Sequence, residues 1–180
     1  TRLNRQYDMT TEQQETENMK WQLVTLIEML ECLPVTVFTL DNIEADDVIA
    51  YASELITAQG GESIIYSTDK DFLQMVTPNV KVYNPVKKKT FDVNTVIETY
   101  GVHPDNFVYY RALLGDKSDN IIGVEGLGKV KANKLMASCD SAQEMFDVCR
   151  DRYNDDERYF KNLALLWLWR SEGDTFNPIE

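Results

Sequence analysis

The stretch Ile43-Glu44-Ala45-Asp46-Asp47-Val48-Ile49-Ala50 places three carboxylates in the first turns of an expected helix, with an apolar face behind them. Residues three or four apart share one face of a helix, so Glu44 and Asp47 lie together and Asp46 projects to their side. Apolar residues continue at helical spacing until Gly60-Gly61 stops the pattern. We therefore expect a helix over roughly 44–59.

These three acids have two interpretations. Acidic residues favour the first turn of a helix because they cap free N–H groups and complement the helix dipole. Three acids within four residues carry more negative charge than a cap requires, which favours a metal site. On this stretch alone both interpretations stay open.

Composition limits the class of protein. The chain has 180 residues and a net charge of −12, and no apolar run approaches the roughly 20 residues of a membrane span. The size predicts one domain, or one with a small helical appendix. Three scattered cysteines without metal-site spacing indicate reduced thiols and a cytosolic location. His103 is the single histidine, so a catalytic centre must rest on carboxylates rather than on a His-dependent nucleophile.

The first elements are predicted from capping and β-branched patterns. A capping box at Thr10-Thr11 starts a helix that we expect to run to about Cys32. Its expected inward residues are Trp21, Val24, Ile27, Met29 and Leu30. The run Val35-Thr36-Val37-Phe38 predicts a short buried strand.

A second strand is predicted at 63–67, so that strand, helix and strand form a βαβ unit of a parallel sheet with helices on its faces. Ligands of such sheets bind beyond the carboxyl ends of the strands. The first acidic group lies there, and so do Asp69 and Asp71, which directly follow the second strand. One of these two aspartates is expected to cap a short helix at 72–76, leaving the other for a metal.

The rest of the chain is predicted to be a hairpin followed by helices. Lysines 87–89 in the hairpin turn are either edge-strand charges or phosphate contacts. The acids around 151–157 are expected to form a solvated face. The predicted elements are a hairpin at 80–91, a helix capped by Asp92 or Asn94 and ending near Tyr100, a helix from Pro104 to about Leu114, and helices at about 129–138, 141–151 and 155–170.

A third acidic group, Gly115-Asp116-Lys117-Ser118-Asp119-Asn120, is followed by the glycine-rich stretch Gly123-Val124-Glu125-Gly126-Leu127-Gly128. That loop opens onto a basic helix. A glycine loop at a basic helix N-terminus is a phosphate-binding arrangement, and it suits the gripping of a nucleic-acid backbone without sequence readout.

Four motifs, taken in order, resemble the signatures of the 5′-nuclease superfamily, which includes flap endonucleases, the 5′→3′ exonuclease domain of bacterial DNA polymerase I and phage 5′-exonucleases. The motifs are Glu-Ala-Asp-Asp at 44–47, Ser-Thr-Asp-Lys-Asp at 67–71, Gly-Asp-Lys-Ser-Asp-Asn at 115–120 and Gly-Val-Glu-Gly-Leu-Gly at 123–128. The resemblance implies a PIN-like α/β nuclease core with a parallel sheet at 1–100, and a helix–three-turn–helix DNA-binding region at 101–180.

The resemblance also implies two divalent metals, Mg²⁺ or Mn²⁺. Their expected ligands are Glu44, Asp46, Asp47 and Asp69 for the first, and Asp71, Asp116 and Asp119 for the second. It assigns catalytic roles to Arg111, before the Gly-Asp motif, and to Arg2 and Arg5, at the entrance of a helical arch.

The resemblance also implies that the glycine loop contacts DNA and holds a K⁺ ion through its backbone carbonyls. The expected DNA-binding residues are Gly123, Val124, Gly126, Leu127, Gly128, Lys129, Lys131 and Lys134.

By resemblance the chain is a metal-dependent 5′→3′ exonuclease or flap endonuclease. It would hydrolyse DNA 5′ ends, flaps or RNA primers in the cytoplasm of a bacterial or phage-infected cell, without a membrane and with a replicative polymerase as a partner. Two alternatives stay open: a catalytically incomplete DNA-binding fragment, and another magnesium-dependent phosphoryl-transfer enzyme.

The sequence departs from the superfamily pattern at its start. The superfamily begins with a strand ending in Asp and a second Asp-bearing strand, and neither precedes Thr1. We therefore expect an N-terminally truncated nuclease domain that binds duplex DNA through its C-terminal half and cleaves poorly by itself.

Overall fold

The computed structural model describes residues 11–38, 40–174 and 176. The chain divides into two units, one ending at Asp41 and one beginning at Asn42. Arg2 and Arg5 lie outside the described residues. None of the described helices is long and apolar enough to cross a membrane.

Within its described residues, 11–38 and 40–41, the first unit contains one helix, α1 (Thr11–Glu31). Its bounds agree with the prediction, but the expected inward face does not: Trp21, Val24 and Met29 are each more than half exposed. An amphipathic stripe is buried only against another element, and the described part of this unit offers α1 no second helix or strand.

The predicted strand at 35–38 is wrong. These residues form neither a helix nor a strand, and Val35, Val37 and Phe38 are exposed. β-Branched residues favour a pleated backbone, but a strand also needs a neighbour to accept its hydrogen bonds. No described strand pairs with this segment, so the predicted βαβ unit lacks its first strand.

The second unit opens with α2 (Ala45–Ala58) and β1 (Ser63–Tyr66). Gly60 takes a left-handed backbone conformation (φ +79°), and the N–H of Gly61 returns to the carbonyl of Ile56 at 2.9 Å. This is the glycine-mediated helix end that the sequence predicts.

A three-stranded sheet has the order β1, β2 (Val80–Asn84), β3 (Lys89–Phe91). β1 runs parallel to β2, with Ser63 opposite Val80, and a 3₁₀ helix (Asp71–Met75) lies between them in the chain. β2 and β3 form the predicted antiparallel hairpin. Parallel pairing is therefore confirmed, with β2 in place of 35–38 as the partner of β1.

Helices supply most of the remaining structure and the core. They are α3 (Val93–Tyr100), α4 (Phe107–Leu114, preceded by a 3₁₀ turn at Pro104–Asn106), α5 (Lys129–Ala137), α6 (Ala142–Tyr153) and α7 (Asp156–Leu166). Asp92, one of the two predicted caps, accepts the N–H of Thr95 at 2.8 Å at the start of α3. Leu163 and Leu166 are buried, and Phe160 and Trp167 pack partly buried against the same core.

α7 ends at Leu166, so the last helix is shorter than the predicted range of about 155–170. Beyond it the N–H of Leu168 donates to Oε1 of Gln74 at 3.3 Å, and the N–H of Trp169 donates to Oδ1 of Asp47 at 2.8 Å. These two N–H groups therefore bind side chains of distant elements, whereas in a longer helix they would bind carbonyls of the preceding turn. The second of these bonds ties the chain end to the first acidic group.

A small hairpin between α4 and α5 carries the third acidic group. Its strands are β4 (Gly115–Asp116) and β5 (Ile121–Ile122), paired antiparallel. The backbones at Gly115 and Gly123 are so close that a Cβ on Gly115 would lie 2.4 Å from the Gly123 nitrogen. Glycine is required there by contact as well as by the positive φ of Gly115 (+68°).

Candidate metal centre

The first acidic group forms at the start of α2. Glu44, Asp46 and Asp47 each offer an oxygen within 4.8 Å of the others. Glu44 occupies the N-cap position with an extended backbone, yet its side chain makes no capping hydrogen bond. Asp47 is held by the N–H of Trp169. Oδ1 of Asp46 accepts the N–H of Asp47 at 3.0 Å, so only one of the three acids binds a backbone N–H of the first turn. Capping therefore does not account for all three acids, and the metal-site interpretation gains support.

A second acidic group consists of Asp71, Asp116 and Asp119, whose oxygens also lie within 4.8 Å of one another. Asp71 begins the 3₁₀ helix after β1, Asp116 lies in β4, and Asp119 lies in the turn that follows. The structure thus brings together the three residues expected to share one metal.

Asp69 belongs to neither of these groups. Its Oδ1 accepts the N–H of Asp71 at 2.9 Å, so it is the aspartate that stabilises the start of the 3₁₀ helix. Its side chain also lines an open cleft of about 280 Å³ shared with Asp116 and Asp119. The structure places it beside the second group rather than with Glu44.

Arg111 is the central cation of the second group. Its guanidinium donates from Nε to Asp71, and from Nη2 to Asp116 at 2.5 Å and to Asp71 at 3.3 Å. The Arg111 side chain is only 5% exposed. It is therefore placed to hold two carboxylates and has almost no surface with which to contact DNA.

Ser118 holds the other oxygen of Asp116. Its backbone N–H donates to Oδ1 at 2.8 Å, and its hydroxyl donates to the same atom. The side-chain hydrogen bond of Ser118, followed by that of Arg111, holds the pKa of Asp116 well below its usual range. Asp116 is therefore fully ionised at neutral pH, as a metal ligand must be.

Burial affects the other two charged groups in different ways. It raises the pKa of Asp71, and the hydrogen bond and charge of Arg111 oppose that rise. Burial also acts to lower the pKa of Arg111, but hydrogen bonds to Asp71 and Asp116 outweigh it and raise that pKa overall. The guanidinium stays charged and offsets part of the carboxylate charge.

The candidate ligands suit a hard divalent cation. All are carboxylate oxygens, which Mg²⁺ and Mn²⁺ favour. The side chains of Glu44 and Asp119 make no hydrogen bond with another described residue, so their carboxylate oxygens are available. Although Arg111 and Ser118 engage Asp71 and Asp116, a carboxylate oxygen has more than one lone pair and can accept a further partner.

The glycine loop packs its apolar side chains inward. Val124 and Leu127 are partly buried against the core. The N–H of Val124 donates to the carbonyl of Leu113 at 2.9 Å, and the N–H of Leu127 donates to the carbonyl of Val124 at 3.2 Å. Gly126 has a positive φ (+71°), and its carbonyl accepts a hydrogen bond from the ammonium of Lys131 at 3.1 Å. Gly128 is the N-cap of α5, and the other two predicted lysines, Lys129 and Lys134, are exposed.

The comparison with known families gives the context of these clusters. The family described as 5′-3′ exonuclease, N-terminal resolvase-like domain, matches residues 2–101, more than half of the chain. The chain belongs to the 5′-3′ exonuclease family.

Relatives of this exonuclease-family chain come from several bacteria. It is 39% identical over 127 residues to a 5′-3′ exonuclease of Aquifex aeolicus, covering 71% of this chain and 44% of that protein. It is 37% identical over 144 residues to one of Buchnera aphidicola, covering 80% and 50%. The chain thus spans about half the length of these curated relatives.

Solved structures confirm the α/β nuclease fold. The phage T5 D15 protein co-crystallised with metal ions superimposes with a TM-score of 0.73 at 24% identity, covering 92% of this chain and 65% of that one. A T5 D15 flap endonuclease in a pseudo-enzyme-product complex with DNA and metal ions gives 0.70 at 23%, covering 88% and 62%. At these identities the likeness establishes the fold alone.

Sequence reasoning missed two contributors to the site of this exonuclease-family chain. Ser118 follows Asp116 by two residues, the spacing of an Asx-type turn, so a local signal for it exists. The backbone N–H of Trp169 binds Asp47 across 122 residues, and no local pattern encodes such a contact.

Proposed function

We propose that the protein is a metal-dependent, structure-specific 5′-nuclease that hydrolyses phosphodiester bonds at DNA 5′ ends, flaps or RNA primers. The observation that carries this proposal is the presence of two groups of three carboxylates within one unit of the fold. Clustered carboxylates repel one another and raise each other's pKa unless cations offset them. Arg111 offsets part of the charge in one group only.

The residues would hold two Mg²⁺ or Mn²⁺ ions, one at each acidic group, with Asp69 on the rim of the second. When bound, two such ions activate water and stabilise charge on the attacked phosphate and the leaving oxygen. Glu44 and Asp119 contribute free oxygens. We assign Arg111 as a positioning residue that fixes Asp71 and Asp116, rather than as a group that touches the substrate.

Duplex DNA is the proposed ligand of the loop at 123–128 and of Lys129, Lys131 and Lys134. Backbone N–H groups and lysines bind phosphates without reading sequence. Lys131 already donates to the Gly126 carbonyl, the kind of group that would bind K⁺. K⁺ would have to displace that ammonium, so the proposed K⁺ site rests on the resemblance alone.

A replicative polymerase is a proposed partner, on the basis of the relatives. The chain is 31% identical over 163 residues to DNA polymerase I of Bacillus caldotenax, covering 86% of this chain and 18% of that protein. A nuclease of this class would work where bacterial DNA is replicated, in the cytoplasm, on DNA and on RNA–DNA hybrids. The division of the chain at residue 100 stays a prediction.

A flap-cleavage assay tests the function. The protein is incubated with a 5′-flap DNA and Mg²⁺ or Mn²⁺, and the unsubstituted chain is compared with Asp119→Asn and with Asp151→Asn. Asp119 is preferred to Asp116 as the test position because it makes no hydrogen bond with any other described residue, so its substitution leaves the Arg111 pairs intact.

We expect metal-dependent cleavage that is lost in Asp119→Asn and retained in Asp151→Asn, an exposed acid of α6. Equal cleavage by both variants would contradict the metal assignment. DNA binding with no cleavage in either metal would favour the non-catalytic DNA-binding module.

A further inference from the structure

Lys70 lies between Asp69 and Asp71 and faces the cleft that holds the second acidic group. Its side chain is half-buried and lines the cleft together with Arg111 and Asp116. It forms no hydrogen bond or ion pair with any residue that the structure describes. A half-buried ammonium beside a cleft, without an internal partner, is available to a ligand.

A second lysine approaches Lys70 from another part of the chain. Lys87, in the turn between β2 and β3, lines a narrow crevice with Lys70, and its backbone N–H is fixed by Oδ1 of Asn84 at 2.8 Å. This crevice and the carboxylate cleft share Asp69 and Lys70 among their lining residues, so Lys87 lies beside the cleft as well.

Three other lysines have internal partners. Lys20 pairs with Glu17, Lys89 donates to Thr99, and Lys131 donates to the carbonyl of Gly126. The ammonium groups of Lys70 and Lys87 have no such partner within the described ranges. Six further described lysines also lack one, and what sets Lys70 and Lys87 apart is the crevice that they share beside the carboxylate cleft. In a chain with 30 acids and 18 basic residues, these two lysines from separate segments lie there without a carboxylate bound to either of them.

We propose that Lys70 and Lys87 bind a backbone phosphate of the DNA strand at the edge of the carboxylate cleft. The proposal rests on the function proposed above. Carboxylates repel a phosphate that approaches them, and two nearby ammonium groups offset that repulsion at short range. Because the lysines are part of the protein, their contribution to DNA binding does not depend on divalent metal.

The test measures DNA affinity without metal. Fluorescence anisotropy with a labelled 5′-flap duplex is recorded over a series of salt concentrations in EDTA. The variants are Lys70→Gln, Lys87→Gln and Lys70→Arg. The matched control is Lys161→Gln, which removes the same charge from an exposed position on α7.

We expect Lys70→Gln and Lys87→Gln each to weaken binding and to reduce the slope of log affinity against log salt by about one. Lys70→Arg, which keeps the charge, should retain the slope of the unsubstituted protein. An affinity and slope for Lys70→Gln equal to those of Lys161→Gln would overturn the proposal.

A second measurement separates phosphate binding from simple charge balance. Mn²⁺ titration without DNA is expected to show tighter metal binding in Lys70→Gln, because a nearby positive charge is gone. If Lys70 acts only on the carboxylates, metal binding tightens while DNA affinity is unchanged, and the proposal fails. Flap cleavage by the unsubstituted protein is read separately, so failure of the nuclease assignment is distinguishable from failure of the lysine site.

Discussion

Arg111 and Asp71, 40 residues apart in the sequence, form a buried ion pair in which the guanidinium contacts both carboxylate oxygens. Asp116 binds the same guanidinium. One cation therefore connects the segment after β1 to the hairpin after α4. Two candidate metal ligands therefore share this one side chain, and Ser118 holds the other oxygen of Asp116.

Replacing Arg111 by Met is expected to destabilise the fold by about 3 kcal/mol, because removal of one partner leaves buried carboxylate charge uncompensated. Arg111→Lys keeps the charge but cannot contact both acids in the same forked geometry, so an intermediate loss is expected. Urea unfolding measures both. The control is Arg150→Met, which breaks the exposed pair with Asp156 and should change stability little. Equal losses for Arg111→Met and Arg150→Met would contradict the structural role of Arg111.

Metal binding should depend on both acidic groups. Glu44→Gln and Asp119→Asn each remove a ligand that no other described residue engages, and each is expected to weaken Mn²⁺ binding about tenfold or more. Asp69→Asn is expected to have a smaller effect, because Asp69 lies on the rim of the cleft and stabilises the start of the 3₁₀ helix. Calorimetric titration provides the comparison, with Asp151→Asn as the control. Unchanged affinity in both Glu44→Gln and Asp119→Asn would argue against these acids as ligands.

Local signals in the sequence predicted the features that neighbouring residues determine. The Asp92 cap, the glycine end of α2 and the hairpin of β2 and β3 each depend on a few adjacent positions. The three acids at 44–47 form a cluster because one helical turn places them together. These elements could be predicted without knowing how the chain packs.

Features that depend on distant partners could not be predicted in the same way. The segment 35–38 has strand-forming residues, but hydrogen bonding to a second strand decides whether a strand forms. The carboxylate of Asp47 binds the backbone N–H of Trp169, and that of Asp71 binds the guanidinium of Arg111. Both contacts form only when distant parts of the chain have packed together. Resemblance supplied the identity of Arg111, whereas the structure shows what its side chain binds.

Alkaline pH should destabilise the protein through Cys149. This thiol is fully buried, and burial raises its pKa from 9.0 to about 12. Above pH 9 the unfolded chain releases the proton while the folded chain keeps it, so stability present below pH 9 is lost as the pH rises toward 12. The loss from this group is at most about 4 kcal/mol. Denaturation at pH 7.5 to 11 should show a weaker pH dependence in Cys149→Ala, and an unchanged dependence would exclude Cys149 as a source.

Gly115 should tolerate substitution far less well than Gly126, although both have positive φ (+68° and +71°). A Cβ on Gly115 would lie 2.4 Å from backbone atoms of Gly123 and Ile121, whereas a Cβ on Gly126 would meet nothing within 4 Å. Gly126→Ala should therefore cost about 1 kcal/mol for its backbone conformation alone. Gly115→Ala adds overpacking against a rigid backbone and should cost about 3 kcal/mol.

The same pair of variants tests how the hairpin positions Asp116. Separation of β4 from β5 to relieve the contact at Gly115 would move Asp116 away from Arg111 and Asp71, so Gly115→Ala should also weaken Mn²⁺ binding. Gly126→Ala leaves the hairpin intact and should keep metal affinity while changing the loop proposed to contact DNA. Urea unfolding measures the stability of both variants, and calorimetric titration measures their affinity for Mn²⁺. Similar stability and similar Mn²⁺ affinity in the two would show that close packing at Gly115 does not hold the second acidic group in place.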